Sequence, residues 1–316
     1  MNARGTRKFV VLAALLAAVA TTATPAVGAG HAAASASCWA GDTAGSFDSV
    51  AALTGSGALA RGESDIGREP SLNEVTDALP ASANGKGGPK FKATVPTYFH
   101  VITDGATGNV SDAQVADQMN VLNMAFSGFY GGAKSGFKFE LKGITRTDNA
   151  TWFNAPAGTN PERQMKSTLH RGGFETLNIY TNLAGGYLGY AYLPGLPDAR
   201  LYIDGIVMHW GSMPGSGMFV GRYDLGMTLV HEAGHWVNLE HTFYGGCNAK
   251  GDYVEDTPAM LVPSSGCPVG KDTCEKKPGL DPIHNYMDYS YDACYNQFTA
   301  GQVARAQDSW IHFRAA

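Results

Sequence analysis

The stretch "HEAGHWVNLEH", residues 231–241, places three histidines and two glutamates within eleven residues. On an α-helix, positions i and i+4 stack on one face, so His231 and His235 project side by side, one turn apart. His241, six residues beyond His235, falls on another face unless the helix stops between them. Asn238 supplies that stop. Asparagine is among the few non-glycine residues that enter the left-handed backbone region readily, so it can end a helix and fold the chain back. Two histidines at this spacing are what a single Zn²⁺ takes from a helix, and a hydrolytic site needs a third protein ligand and an open position for water. His241 fills the third place, and Glu232 sits where it reaches that water without binding the metal. A ligand set of histidines without cysteine fits a catalytic zinc site better than a structural one.

Working outward, "LGMTLVHEAGHWV" (225–237) reads as the helix that carries the pair. Upstream, "VPTYFHVIT" (95–103), "FKFELKGITRT" (137–147), "TLNIYTN" (176–182) and "LYIDGIVMHW" (201–210) have the β-branched and aromatic content of strands. Between the first two, residues 111–129 repeat Val115, Met119, Leu122 and Phe126 at helical spacing behind a capping Ser111. Downstream, residues 242–296 are rich in Gly, Pro, Asp and Cys and read as irregular, and 299–314 closes the chain as a helix. The expected fold is α/β (α+β): a twisted mixed sheet with the motif helix in an amino-terminal subdomain (91–241), then an irregular carboxy-terminal subdomain (242–316) ending in a helix.

The chain of 316 residues is 44% hydrophobic and 16% charged, enough to build a sizeable core. Its opening "NARGTRK", the apolar run at 9–20 and small residues up to Ala29 or Ala36 read as a signal peptide, cut after 29 or as late as 36. Twelve apolar residues fall short of the roughly 20 that span a bilayer, so export without a membrane anchor is expected. Residues 37–90, rich in Gly, Ala and Ser, read as a propeptide or linker. The formal charge is −5, from 23 basic and 28 acidic residues; without Arg4, Arg7 and Lys8 of the leader it becomes 20 against 28, or −8. That balance argues against nucleic acid as a partner. Cys247, Cys267, Cys274 and Cys294 lie within one stretch, and in an exported chain two structural disulfides are expected, with three pairings open.

"HEAGHWVNLEHTF", followed by "NYMDY" at 285–289, resembles the metzincin zinc metalloproteases, whose pattern is HExxHxxGxxH plus a methionine turn. The neighbouring "HTFYGGC", "GDYVEDTP", "SGCP" and "NQFTAGQVAR" are similar to the pappalysin branch (peptidase family M43), secreted proteases related to ulilysin and cytophagalysin. Asn238 departs from the family's glycine. The resemblance implies a secreted zinc endopeptidase with polypeptide substrates; the chain is expected to be made as a zymogen and to act as a monomer. It implies that His231, His235 and His241 bind zinc, and that Glu232 is the general base toward the zinc-bound water. Met287 would floor the metal, and Tyr289 would hydrogen-bond the tetrahedral intermediate. It further implies Cys247–Cys274 and Cys267–Cys294 as the disulfides, and structural calcium near Asp252, Asp256 and Thr257. From spacing alone that acidic loop is equally a solvated one.

Some residues keep two readings. Cys38 is either a cysteine switch that occupies the open zinc position in the zymogen or a spare thiol lost on processing; the arginine that usually flanks a switch is absent from "ASCWAG". His209 reads as a half-exposed strand histidine with a substrate-side role as the lesser option, His284 is ambiguous beside the methionine turn, and His100 reads as structural. Residues 183–195, "LAGGYLGYAYLPG", match the family's cleft rim and otherwise pass as a plain loop. Asp288 and Asp292 are candidates for a pocket that takes a basic residue after the scissile bond. The rival readings are a thermolysin-type site with Glu255 as third ligand, disfavoured because Pro258 breaks the helix it would need, and a non-catalytic extracellular metal-binding module, disfavoured by Glu232.

Overall fold

A computed structural model describes residues 87–248 and 250–315. The stretch read as a signal peptide, residues 37–86 of the stretch read as propeptide or linker, and Cys38 lie outside the described residues.

The sheet is built on β1 (Ala93–Thr103), whose Val95, Phe99, Val101 and Ile102 are fully buried. Residues covered on both faces are what a central parallel strand requires. β1 pairs in parallel with β2 (Phe137–Asp148) on one side and with β3 (Leu177–Asn182) on the other. β3 pairs in parallel with β5 (Ile206–His209), and the short β4 (Gly189–Ala191) runs antiparallel along the outer edge, giving the order β2-β1-β3-β5-β4.

Helix α1 (Asp112–Phe126) begins with a complete capping box: the Ser111 hydroxyl accepts from Gln114 N–H, and the Gln114 side chain accepts from Ser111 N–H. Its Val115, Met119, Leu122 and Phe126 join Phe137 and Phe139 of β2 in the larger core. Helix α2 (Asn160–Leu169), not foreseen from the sequence, covers the other face with Met165 and Leu169 against Tyr180 and Tyr190. Helix α3 (Met227–Trp236) is buried along its whole length between the sheet and the carboxy-terminal segment. Helix α4 (Ala300–Ser309) starts from a Thr299 capping box and unwinds into a π-turn at Trp310–Arg314. No helix among the described residues is long and apolar enough to cross a membrane.

Two expectations about elements change. The strand read over 201–210 is confined to Ile206–His209, because residues 198–203 coil as 3₁₀-helix and Gly205 turns at φ 114° with its Cα against the Asn178 carbonyl. Within the rim stretch 183–195, Gly189–Ala191 forms the sheet's edge strand. The segment from 242 to 296 is irregular, joined by Cys247–Cys274 and Cys267–Cys294, two overlapping loops of which the second contains the turn at Met287.

Candidate active site

Helix α3 is built to be buried: Met227, Leu229, Val230, Ala233 and Trp236 all join the core around the two histidines. At its end Asn238 N–H bonds the His235 carbonyl and Leu239 N–H bonds the Gly234 carbonyl, the paired bonds of a Schellman turn. That motif needs a left-handed residue in the middle, and Asn238 sits at φ 77°. The reversal returns His241 to the first two histidines.

Each imidazole of the helix is pinned from behind. His231 Nδ1–H donates to the Tyr286 carbonyl at 2.6 Å, and His235 Nδ1–H to the Leu239 carbonyl at 2.7 Å. A carbonyl only accepts, so both Nδ1 atoms carry the proton and both Nε2 atoms carry lone pairs. Those lone pairs converge: His235 Nε2 lies 3.1 Å from His231 Nε2 and 3.0 Å from His241 Nε2. Burial lowers the pKa of His235 to about 4 and that of His241 well below the usual range, so an added proton is no remedy for three ring nitrogens facing one another. A cation is. Tetrahedral zinc, with Zn–N bonds of about 2.0–2.1 Å, spaces its ligand nitrogens about 3.4 Å apart, close to what the cluster already has. The residues fit the metal.

The surroundings are equally shaped. Phe243 stacks on His241 with 4.7 Å between centroids and 9° between planes, and packs edge-on against Tyr289. The Tyr289 hydroxyl stands 3.2 Å from His241 Nε2. Met287 is fully buried under the cluster, its sulfur against Gly234, where any side chain would collide with it. Asn285 fixes this turn by accepting Met287 N–H and exchanging hydrogen bonds with Gln302 of α4. Glu232 is fully buried against the Gly189 backbone of β4.

Other candidates are placed elsewhere. Glu255 is exposed on a loop and takes no part in the histidine group. Asp256 spends both oxygens on the start of α4, accepting from Thr299 Oγ1 at 2.7 Å and Gly301 N–H at 2.8 Å. Asp252 is buried beside Thr257, and burial pushes its carboxyl up to about 7. Asp288 and Asp292 face inward: Asp288 accepts from Ser264 N–H and Ser290 Oγ, and Asp292 accepts from Leu225 and Met227 N–H at the start of α3. His209, read as half-exposed, is 4% exposed, accepts from Gly211 N–H, and is held at about 4 by burial. His284 donates to the Cys294 carbonyl, and His100 bridges Thr145 and Asn178 inside the sheet.

Two residues that matter here escaped the sequence reading. Arg314, almost at the chain end, donates from Nε to the Trp236 carbonyl at 2.8 Å and lies 3.6 Å over the Trp236 ring. Its guanidinium also forks onto Asp204 at 2.9 and 3.1 Å. Arg305 of α4 donates to the Asn238 carbonyl at 2.8 Å. Together they bind the two carbonyls at which the motif helix gives way to its reversal, where cations favour the helix dipole.

A histidine triad on a buried helix and its return loop, over a methionine turn and beside a glutamate, defines a metal-dependent hydrolase of the metzincin class. The peptidase M43 model, described as pregnancy-associated plasma protein-A, matches residues 217–310. An extracellular metalloprotease of Pyricularia oryzae is 45% identical over 242 residues, 74% of this chain and 81% of the relative. A promirolysin mutant from Tannerella forsythia superposes with a TM-score of 0.61 at 30% identity, covering 70% of this chain and 81% of that one. Mature mirolysin from the same organism, in complex with a cleaved peptide, gives 0.59 at 31% identity over 69% and 92%. The chain belongs to the pappalysin (M43) family of metalloproteases and is a zinc metalloendopeptidase whose substrates are polypeptides.

Proposed function

We propose that His231, His235 and His241 hold the zinc and that Glu232 is the general base of an exported endopeptidase. The observation that carries this is the convergence of three Nε2 atoms, at 3.0–3.1 Å from His235 to each of the others, with both helix imidazoles locked from behind. A bound zinc supplies Lewis acidity, polarising the scissile carbonyl and bringing the pKa of its water to about 7. Glu232 accepts the proton of the attacking water on its carboxylate and passes it to the leaving amide nitrogen. Tyr289 donates its phenol hydrogen toward the oxyanion that develops on the substrate. The Tyr286 and Leu239 carbonyls hold the first two imidazoles in the tautomer that leaves Nε2 free to ligate. Met287 closes the site from below and keeps bulk water away from it.

Export as a zymogen, with residues 1–29 as signal and 37–90 as propeptide, is supported by relatives named extracellular metalloproteases and by a relative solved in a pro form. A structural calcium at Asp252 and Thr257 rests on the resemblance to the pappalysin branch, with the Asp252 carboxyl buried beside Thr257. Asp256 contributes less to such a site than the sequence implied, because α4 already occupies it. The catalytic reading is tested by Glu232→Gln, assayed on a fluorogenic peptide alongside metal analysis. Zinc retained with cleavage reduced at least about 10³-fold supports it, and undiminished cleavage removes Glu232 from the mechanism.

A further inference from the structure

We propose that Gly189 is a positioning residue for catalysis: the absence of a side chain at this point of the edge strand sets where the Glu232 carboxylate rests. The inference rests on Glu232 being the general base. Gly189 opens β4, pairs with Met208 of β5, and presents its Cα to helix α3. A Cβ built on it would lie 2.8 Å from Glu232 Cγ, 2.9 Å from Oε1 and 3.1 Å from Cδ. All are inside the contact distance of real side chains, about 3.5–4.0 Å. The glutamate therefore rests directly on peptide backbone.

This glycine is not explained by its conformation. Gly189 is not among the residues with positive φ, whereas Gly185 and Gly186, just before it, are at 63° and 97°. An alanine is acceptable to the backbone of position 189, so the requirement comes from the neighbour it would touch. Glu232 cannot retreat freely, because it is fully buried on a helix buried throughout its length. Relief of the contact moves the carboxylate by about half to one ångström. A displacement of that size in a reacting group costs up to about 10²-fold in rate. The glycine of "GYAY" (189–192) thus tunes the base from the opposite wall of the cleft, as Gly234 makes room for Met287 from within the helix.

The test is Gly189→Ala, purified with zinc and characterised by kcat, KM, bound zinc and thermal midpoint, next to Glu232→Gln. The expected result is kcat lowered about 10- to 100-fold, KM within about twofold, zinc content unchanged, and a midpoint lowered by about 2–12 °C, as one overpacked contact requires. A double-mutant cycle with Glu232→Ala separates positioning from simple structure, since alanine lacks the Cγ, Cδ and Oε1 atoms that the new methyl would meet. Adding Gly189→Ala to Glu232→Ala should then change the residual cleavage rate less than about threefold. If Gly189→Ala accumulates poorly, recovery of its yield in the Glu232→Ala background, where the contact is gone, reads out the same clash, and no recovery counts against it. Unchanged kcat in Gly189→Ala, a loss residing in KM alone, or equal cost in both backgrounds overturns the inference. Full activity of Glu232→Gln would instead overturn the catalytic reading beneath it.

Discussion

Arg314→Met removes the guanidinium that fastens the end of the motif helix, and its cost can be worked from the surroundings. Arg314 is 2% exposed and Asp204 1%, so the forked pair between them is shielded from water. The substitution keeps an unbranched apolar side chain over Trp236. It deletes the two Asp204 bonds and those to the Trp236 and Phe174 carbonyls. Asp204 keeps its bond from Trp236 Nε1 at 3.0 Å and becomes a buried carboxylate without its cation. Breaking one side of such a pair costs about 3–5 kcal/mol. At about 2–4 °C per kcal/mol for a domain of this size, the thermal midpoint falls by about 6–20 °C. Differential scanning calorimetry at matched, saturating zinc measures it. The double variant Arg314→Met with Asp204→Asn should recover part of the loss, because the stranded charge has gone while an amide oxygen still accepts from Trp236 Nε1–H. A fall below about 3 °C in the single variant, or no recovery in the double, would refute the reasoning.

His100 provides a pH test. Burial depresses its pKa to about 4, against about 6.5 in an unfolded chain. Above pH 6.5 it is neutral in both states and the fold keeps its full stability. Between pH 6.5 and 4 the unfolded chain takes up the proton first, and about 3 kcal/mol is lost. His100→Gln should flatten urea-unfolding free energy against pH in that window, and an unchanged slope would speak against it. Asn238→Gly should raise the thermal midpoint, by about 1 kcal/mol at the transition, with zinc and activity kept. It relieves a left-handed asparagine whose buried amide has no hydrogen-bond partner. A lower midpoint would show the side chain to be needed.

The site's skeleton was legible because it is local. A metal helix, its left-handed exit and the third histidine lie within eleven residues, and i, i+4 geometry with backbone preference suffices to read them. The apolar strands β1 and β3 were legible for the same reason. What could not be read depends on residues distant in the chain. Asp204 looked like part of a strand until Arg314, 110 residues later, claimed it. Asp288 and Asp292 looked available to substrate, yet both serve backbone N–H groups of other segments. Gly189 carried no signal of its own, since a close approach to Glu232 exists only after β4 has been laid along β5. A cluster of buried polar partners around a motif, rather than the motif, is what pattern reading omits.

The metal-to-protein ratio of the purified mature chain, measured by plasma mass spectrometry for the wild type and His241→Ala after the same dialysis, addresses the central claim most directly. Three convergent imidazoles predict one zinc per wild-type chain and its loss from the variant. A wild-type chain without zinc, or a variant that keeps its full complement, would contradict it.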